Sequence, residues 1–419
     1  MVEQLTVSLV FFFERRLDPA ALARGLEEAL AVAPPFAGRF DTSGGALRIR
    51  CEGQGIPFTV TSSRSTLALA IRSILDDGGA GLVDIVSPRR ARRGKDPLFR
   101  VRVTHLEGGA TAIGCSWHHS VGDLQSFMTL MKAWCAAAAG EPVPPPLVVD
   151  DRRAYLDREL PAGGSSASGM RRLAGAELAR YAFYLAFTAR RKKSFQVYFS
   201  DDEILRMRTA YAEGGVSVTA NDALCAHIAE TIAACDPRIQ NRNLTIAVNF
   251  RKRVGLEPRL LGNMVVGLTV GVARGEPPRA IAQRLRGALD RFAADHMNYR
   301  PTQRFADEVG PRALSRCIPT GIDPLARYPV VTSWASFGVY DVRFEGTAPI
   351  YFAPITELPV PWLGALVEGF EDRGRIYAGA LPDEVAAAML APSMLERLHR
   401  FRDPADRLPE MLARVGGMS

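Results

Sequence analysis

The sequence is poor in cysteine and lacks the pattern of an exported protein. Six cysteines are scattered over 419 residues, and no two of them form a CxxC pair. This spacing offers neither a disulfide framework nor a thiolate zinc site, so we expect buried thiols in a reducing compartment. The apolar stretch at residues 9–13 is too short for a signal peptide or a membrane span, and no cleavage pattern follows it. These absences predict a cytoplasmic protein.

Several familiar catalytic patterns are also missing. The sequence contains no GxSxG nucleophile elbow, no glycine-rich phosphate loop, no dinucleotide-binding fingerprint and no metal-ligand motif. We therefore expect no metal and no tightly bound cofactor. The net charge of +7 is mild for this length, although the pI is near 9.2. That balance favours anionic small molecules, and we expect no nucleic-acid partner.

The stretch from Ile113 to Asp123 holds the candidate chemistry. Its first residues alternate as in a buried strand, and His119 stands at the carboxyl end of that strand. A small, turn-forming run, Ser120-Val121-Gly122, separates His119 from Asp123, and an apolar helix pattern follows. An imidazole in that position is suited to general-base work, with a carboxylate nearby. The neighbouring His118 faces the other side of the strand and is predicted to be a packed histidine.

Two α/β lobes joined by a crossover are the predicted organisation. Residues 140–169 are rich in proline, glycine and serine, which is typical of an interdomain connection. We place an amino-terminal lobe at 1–165, a linker helix at 166–193 and a carboxy-terminal lobe at 194–419. Residues 170–193 show a basic helix pattern with many aromatic residues. Such a helix either docks its apolar face on the protein or lies on a membrane surface.

Several blocks of the sequence carry a resemblance to a known family. They are residues 34–40, the HxxxD motif of residues 119–123, and residues 249–253, 261–263 and 332–344. In this order and spacing they resemble the BAHD acyltransferases, which use acyl-CoA and are more distantly related to peptide-synthetase condensation domains. The resemblance covers most of the chain. It implies a mixed α/β fold of two chloramphenicol-acetyltransferase-like lobes with a central channel, in which part of residues 345–370 crosses back to the amino-terminal lobe.

Individual residues acquire roles through this resemblance. His119 would be the general base that takes a proton from the acceptor. The indole of Trp334, or the hydroxyls of Thr332 and Ser333, would donate hydrogen bonds to the oxyanion. Asp123 would mainly be structural, pointing away from His119, binding an arginine and holding the turn. From the residues alone, an Asp123 that orients His119 directly is the alternative.

One departure from the family pattern concerns an ion pair. Arg343 stands where the family's DFGWG motif has its aspartate. In the family, that aspartate is thought to pair with an arginine of the block that corresponds to residues 249–253. Arg343 would repel such an arginine. We therefore predict that Asp341 or Glu345 supplies the carboxylate for Arg251 or Arg253.

Three functions are consistent with these residues. The first is acyl transfer from acyl-CoA to a hydroxyl or amine of a small-molecule acceptor by direct attack in a ternary complex, because no nucleophile motif is present. In that case Arg251, Lys252 and Arg253 are the candidates for binding the CoA phosphates. The second function takes the acyl group from an acyl carrier protein, which the basic loop at residues 89–95 would help to bind. The third is a non-catalytic binding protein on the same fold. We expect a monomer, with peripheral membrane contact through residues 170–193 as an alternative use of that helix.

Overall fold

The computed structural model of the chain describes most of its residues. It describes residues 6–41, 48–79, 81–188, 190–314, 316–323, 325–355 and 360–416. The strands are β1 (Thr6–Phe13), β2 (Arg39–Asp41), β3 (Arg48–Arg50), β4 (Phe58–Ser62), β5 (Phe99–His105), β6 (Thr111–His118), β7 (Met170–Arg172), β8 (Lys192–Phe199), β9 (Asn241–Asn249), β10 (Val265–Ala273), β11 (Cys317–Pro319), β12 (Val330–Ser333), β13 (Tyr351–Pro354), β14 (Leu363–Glu368) and β15 (Arg375–Pro382). The helices are α1 (Pro19–Val32), α2 (Leu67–Asp76), α3 (Pro88–Ala91), α4 (Leu124–Ala138), α5 (Arg152–Glu159), α6 (Gly175–Phe183), α7 (Asp201–Tyr211), α8 (Ala220–Cys235), α9 (Pro278–Asp290), α10 (Tyr299–Leu314), α11 (Asp383–Met389), α12 (Pro392–Leu398) and α13 (Glu410–Val415).

The first sheet forms the core of the amino-terminal lobe, with the order β13-β1-β6-β5-β4. Strand β6 lies at its centre, antiparallel to β1 and β5, and every residue of β6 is buried. Gly114 is needed in β6 because a Cβ there would lie 1.9 Å from the carbonyl oxygen of Leu82. The predicted buried strand before His119 is therefore confirmed, and His119 is the first residue after it.

Helix α4 packs against this sheet and fixes the turn that precedes it. Asp123 is its N-cap residue and accepts a hydrogen bond from the backbone N–H of Ser126. Trp117 of β6 stacks on Phe127 of α4, with 4.2 Å between ring centroids and 2° between ring planes. The apolar helix pattern after Asp123 thus buries its side chains on the strand that ends at the candidate site, so strand, turn and helix are one packed unit.

The second sheet forms the core of the carboxy-terminal lobe, with the order β10-β9-β12-β14-β15-β8. Strand β12 runs parallel to β9 and to β14, whereas the other pairings are antiparallel. The carboxyl ends of β9, β12 and β14 therefore meet at one edge of the sheet, where Asn249, Ser333 and Glu368 lie. This edge brings together two blocks that are far apart in the sequence, residues 249–253 and 332–344.

Segments from the second half of the chain return to the amino-terminal lobe, among them strand β13 and helix α13. Strand β13 pairs with β1, with Phe352 opposite Phe11. It lies within residues 345–370, where the sequence predicts such a crossing. Helix α13 packs against α2, and Met411 and Val415 belong to the core of the amino-terminal lobe. The carboxy-terminal lobe was predicted over residues 194–419, but helix α13 within that range packs in the amino-terminal lobe.

The linker helix predicted over residues 166–193 is shorter in the structure. Strand β7 occupies its beginning and pairs antiparallel with β11, while β8 starts at Lys192. Helix α6 begins at Gly175 because the Glu177 carboxylate accepts a hydrogen bond from the Ala174 backbone N–H at 2.8 Å and caps the helix. The helix continues as a π-helical turn over Tyr184–Thr188. Sequence composition alone did not separate these short elements.

Candidate active site

The turn after β6 holds His119 half-buried and His118 fully buried. The indole N–H of Trp117 donates to the carbonyl of Gly122 at 2.9 Å, which closes the turn over the end of the strand. His118 Nδ1 accepts a hydrogen bond from the Ser120 backbone N–H at 3.2 Å, and its ring lies edge-on to Phe40. The prediction that His118 is a packed histidine is confirmed. His119 is left as the imidazole with access to a substrate.

Asp123 faces away from the imidazole and into an ion pair. Its Oδ2 accepts from Arg251 Nη1 at 2.7 Å and from the Met264 backbone N–H at 2.8 Å. Its Oδ1 accepts from Arg251 Nη2 at 3.1 Å and from the Ser126 N–H at 3.0 Å. The expected contact of Asp123 with an arginine is therefore present. Because Asp123 begins α4 and Arg251 follows β9, this contact joins the two lobes.

Arg251 is 1% exposed, and its guanidinium is used entirely inside the protein. Besides Asp123, it donates to the Asn249 side chain, the Ser126 hydroxyl and the carbonyl oxygens of Leu260 and Gly262, at 2.9–3.2 Å. Arg251 therefore has no donor left for the phosphates of CoA, and that part of the prediction is wrong. The reason is burial, which the sequence pattern of three consecutive cations does not show.

The two neighbours of Arg251 remain at the surface. Lys252 is exposed. Arg253 donates to the carbonyl of Leu289 at 2.9 Å, and its guanidinium lies 5.9 Å from the centroid of the Phe292 ring. Only Lys252 is uncommitted within the predicted CoA-binding run.

The prediction that Asp341 or Glu345 pairs with Arg251 or Arg253 is wrong. Asp123 is the carboxylate of Arg251, and neither Asp341 nor Glu345 contacts either arginine within the described part of the chain. Glu345 instead accepts a hydrogen bond from the backbone N–H of Asp18 at 2.7 Å. The expected repulsion by Arg343 does not arise, because that side chain is exposed. Asp123 of the HxxxD motif provides the carboxylate for Arg251, so no carboxylate near Arg343 is needed for this ion pair.

Asn263 contacts the ring of His119. Its Nδ2 lies 3.3 Å from His119 Nδ1, while its Oδ1 is buried without a hydrogen-bond partner among the described residues. The two ends of an amide have nearly the same shape, so hydrogen bonding decides their orientation. Turned over, the amide accepts a hydrogen bond from Nδ1–H through Oδ1. Nε2 of His119 then carries the lone pair. In the sequence Asn263 stands out only as part of the block of residues 261–263, and nothing there indicates its contact with His119.

Burial sets the charge of the His119 imidazole. It lowers the pKa of the His119 imidazole below the ordinary value of 6.5, and the nearby Asp123 carboxylate offsets this only in part. His119 is therefore neutral at pH 7, which is the form that can accept a proton.

The oxyanion candidates lie at the edge where the parallel strands of the second sheet end. Thr332 and Ser333 are the last residues of β12, and Trp334 follows, with its ring 5.9 Å from that of Phe352. All three are partly buried, and none hydrogen bonds to His119 among the described residues. Glu368 fixes the next turn by accepting from the backbone N–H of Ser336 at 2.7 Å. No sequence motif pointed to this glutamate.

Arg152 is a cation near the site that sequence reasoning missed. Its guanidinium lies against Gly262, where a Cβ would be 2.8 Å from Nη1, and Gly262 has a φ of +142°. The next residue, Asn263, touches His119. Arg152 is partly buried, and no described carboxylate pairs with it, whereas its neighbour Arg153 pairs with Asp307 at 2.6 Å.

No group of metal-ligating side chains occurs among the described residues.

Asp123→Ala should destabilise the protein strongly, because it leaves the buried Arg251 cation without its carboxylate. We expect the free energy of unfolding to fall by about 3–5 kcal/mol in urea denaturation, the usual cost of removing one partner of a buried pair. Asp123→Asn keeps the shape and should lose less. Asp307→Ala, which breaks the exposed pair with Arg153, is the control and should have a small effect. Equal losses for Asp123→Ala and Asp307→Ala would contradict this account.

Solved structures share this architecture over nearly the whole chain. The crystal structure of vinorine synthase covers 94% of this chain and 92% of that chain, with 20% identity and a TM-score of 0.68. TRI101 of F. sporotrichioides, in complex with coenzyme A and T-2, covers 94% of this chain and 95% of that chain, with 16% identity and a TM-score of 0.69. These likenesses confirm the predicted fold, two chloramphenicol-acetyltransferase-like lobes of mixed α/β structure.

Sequence comparison extends the likeness to named enzymes. Putrescine hydroxycinnamoyltransferase of Oryza sativa subsp. japonica is 26% identical over 397 residues, which cover 86% of this chain and 84% of that protein. A sequence model of the transferase family matches residues 4–359, a range that contains His119, Asp123, Arg251 and Asn263. The chain therefore belongs to the transferase family of BAHD acyltransferases.

Proposed function

We propose that the protein transfers an acyl group from acyl-CoA to a hydroxyl or amine of a small-molecule acceptor, with His119 as the general base. The observation that carries this proposal is a half-buried imidazole on the HxxxD turn, with Asn263 in contact with its Nδ1. Burial also lowers the pKa of this imidazole, which favours its neutral form. CoA as the donor is supported by the likeness to a structure that contains coenzyme A. A small-molecule acceptor is supported by the name of the putrescine-acylating relative.

The chemistry takes place in one ternary complex. Nε2 of His119 accepts the proton of the acceptor O–H or N–H as the oxygen or nitrogen attacks the thioester carbon. The carbonyl oxygen becomes an oxyanion, for which Trp334 Nε1–H or the hydroxyls of Thr332 and Ser333 are the donors in our proposal. Collapse of the intermediate breaks the C–S bond. The His119 imidazolium gives its proton to the leaving thiolate, so the imidazole is neutral again at the end of the cycle.

Asp123 takes no part in proton transfer under this proposal. All the hydrogen bonds described for its carboxylate oxygens come from Arg251, Ser126 and the backbone of Met264. An aspartate that orients a catalytic histidine would instead accept from a ring nitrogen. Asp123 therefore holds the turn that presents His119, and Asn263 does the orienting.

His119→Ala should lower kcat/KM by about 10²–10⁴-fold, the usual contribution of a general base. The measurement is thiol release from acetyl-, malonyl- and longer acyl-CoA with a panel of amines and alcohols that includes putrescine. Circular dichroism and thermal unfolding check that the variant is folded. His296→Ala, a partly exposed histidine on a surface turn, is the matched control and should keep wild-type rates.

The same assay separates the alternative functions. Turnover with an acyl carrier protein but with no CoA thioester would replace the proposed donor. The basic segment of residues 89–95, which begins in α3 and whose arginines and lysine are exposed, would then be its docking site. No turnover with either donor, together with acceptor binding, would leave a binding protein. Equal activity of His119→Ala and wild type would remove His119 from the mechanism.

The pH dependence of kcat/KM should reflect the lowered pKa of the half-buried His119 imidazole. Burial lowers the pKa of His119, so the ring stays neutral to a lower pH than an exposed histidine does. We expect log kcat/KM to be flat near neutral pH and to fall with unit slope in acid, with the bend below pH 6.5. A pH titration of initial rates checks this. A bend above pH 6.5 would mean that the base is a group whose pKa is not lowered by burial.

Arg152 is the cation that we assign to an anionic group of the donor. Its guanidinium lies against Gly262, the residue before Asn263, and it has no ion-pair partner among the described carboxylates. Arg152→Gln should raise the KM for acyl-CoA about tenfold with little change in kcat, as expected for one lost charge-assisted hydrogen bond. Arg153→Gln is the control, since the adjacent arginine points to Asp307. A fall in kcat at unchanged KM would instead assign Arg152 to the structure of the site.

A further inference from the structure

Helix α6 and the π-helical turn after it expose a cluster of large apolar side chains. Phe183 is 64% exposed, Leu185 47% and Phe187 65%, and the two phenylalanine rings lie 4.9 Å apart. We call these three residues the Phe183 patch. Single exposed apolar residues are common on soluble proteins, whereas two exposed phenylalanine rings in contact, with a third large apolar side chain between them in the sequence, are typical of an interaction site. The predicted docking of the aromatic face on the protein is correct only for part of that face.

The opposite side of the same helix is firmly attached. Tyr181 and Tyr184 are buried, and the Tyr181 hydroxyl donates to Asp323. Arg171 pairs with Glu177 at 2.8 Å and with Asp323 at 3.4 Å. The helix is therefore held through its tyrosines and its first turn. The orientation of the Phe183 patch toward solvent is thus a fixed property of the fold.

Cations flank the patch in the sequence on both sides. Arg180, Arg190, Arg191 and Lys193 are all exposed, and none forms an ion pair with a carboxylate of the described residues. The nearby acids are largely engaged elsewhere: Glu177 and Asp323 with Arg171, and Glu384 with Arg238 and Arg327. Asp383 is the exposed carboxylate next to this edge, since its N–H donates to the carbonyl of Arg191. The segments on either side of the patch therefore carry a net positive charge.

We propose that the Phe183 patch binds the surface of an anionic lipid bilayer. Aromatic rings and leucine settle at the boundary between headgroups and acyl chains, while neighbouring arginines and lysines contact the lipid phosphates. Charge complementarity favours this occupant over a second copy of the chain, because two positively charged segments would face each other in a symmetric dimer. None of the described helices is long and apolar enough to cross a membrane. The inference is independent of the acyl-transfer proposal.

Vesicle co-sedimentation of the full chain tests the proposal. We expect wild type to sediment with vesicles of phosphatidylcholine and phosphatidylglycerol, and to stay in solution with phosphatidylcholine alone. Sedimentation should weaken as salt screens the charges. The double variants Phe183→Ser/Phe187→Ser and Arg190→Gln/Arg191→Gln should each lower the apparent affinity by about tenfold or more.

Matched variants elsewhere on the surface give the control. Leu69→Ser/Leu205→Ser removes two leucines that are 60% and 51% exposed, and Arg89→Gln/Arg93→Gln removes two exposed arginines of the basic loop. Both should bind vesicles as wild type does, and all variants should keep wild-type thermal unfolding. No sedimentation of wild type with anionic vesicles, or equal losses in the controls, would overturn the proposal. So would a wild-type dimer in light scattering that the Phe183→Ser/Phe187→Ser variant dissolves, which would assign the patch to self-association.

Discussion

The ion pair between Asp123 and Arg251 is the contact on which the candidate site depends. It joins the N-cap of α4 in one lobe to the turn after β9 in the other, and only 1% of the Arg251 side chain and 4% of the Asp123 side chain are exposed. Burying two charges is costly unless every donor and acceptor is satisfied. Here the guanidinium also binds the carbonyls of Leu260 and Gly262, so the pair fixes the very segment that carries Asn263. The relative position of the His119 ring and the Asn263 amide is therefore set by electrostatics between the lobes.

This arrangement explains why His119 and Asp123, only four residues apart, make different contacts: His119 contacts Asn263, and Asp123 binds Arg251. Residue 119 is the first after a fully buried strand, so its backbone is fixed by the sheet. The intervening turn is closed by the Trp117 indole and rotates Asp123 toward the other lobe. A carboxylate accepting from His119 would raise the pKa of the imidazole, whereas burial lowers it. The amide of Asn263 beside the ring is uncharged and adds no such carboxylate effect.

The sequence predicts local features well and tertiary burial poorly. The strand before His119, the helix after Asp123 and the packed His118 follow from side-chain alternation and helical spacing, and the structure contains all three. The run of residues 251–253 looked like a phosphate site because a pattern of cations does not reveal which one is buried. Asp341 and Glu345 are close to Arg343 in the sequence and were therefore the predicted partners of Arg251. Its actual partner, Asp123, comes from the other lobe. Contacts between distant segments, such as Asn263 with His119, leave no local signal.

The Phe183 patch and the reaction site rest on separate supports. Helix α6 is held by β7, β11 and the Arg171–Glu177–Asp323 cluster, which belong to neither large sheet. The site rests on β6, α4 and the edge of the second sheet. Occupation of the patch by lipid therefore places the enzyme at a surface without bearing on the Asp123–Arg251 contact. In that position the enzyme would meet acceptors or acyl donors that partition into the bilayer at a raised local concentration, while the chemistry at His119 stays the same.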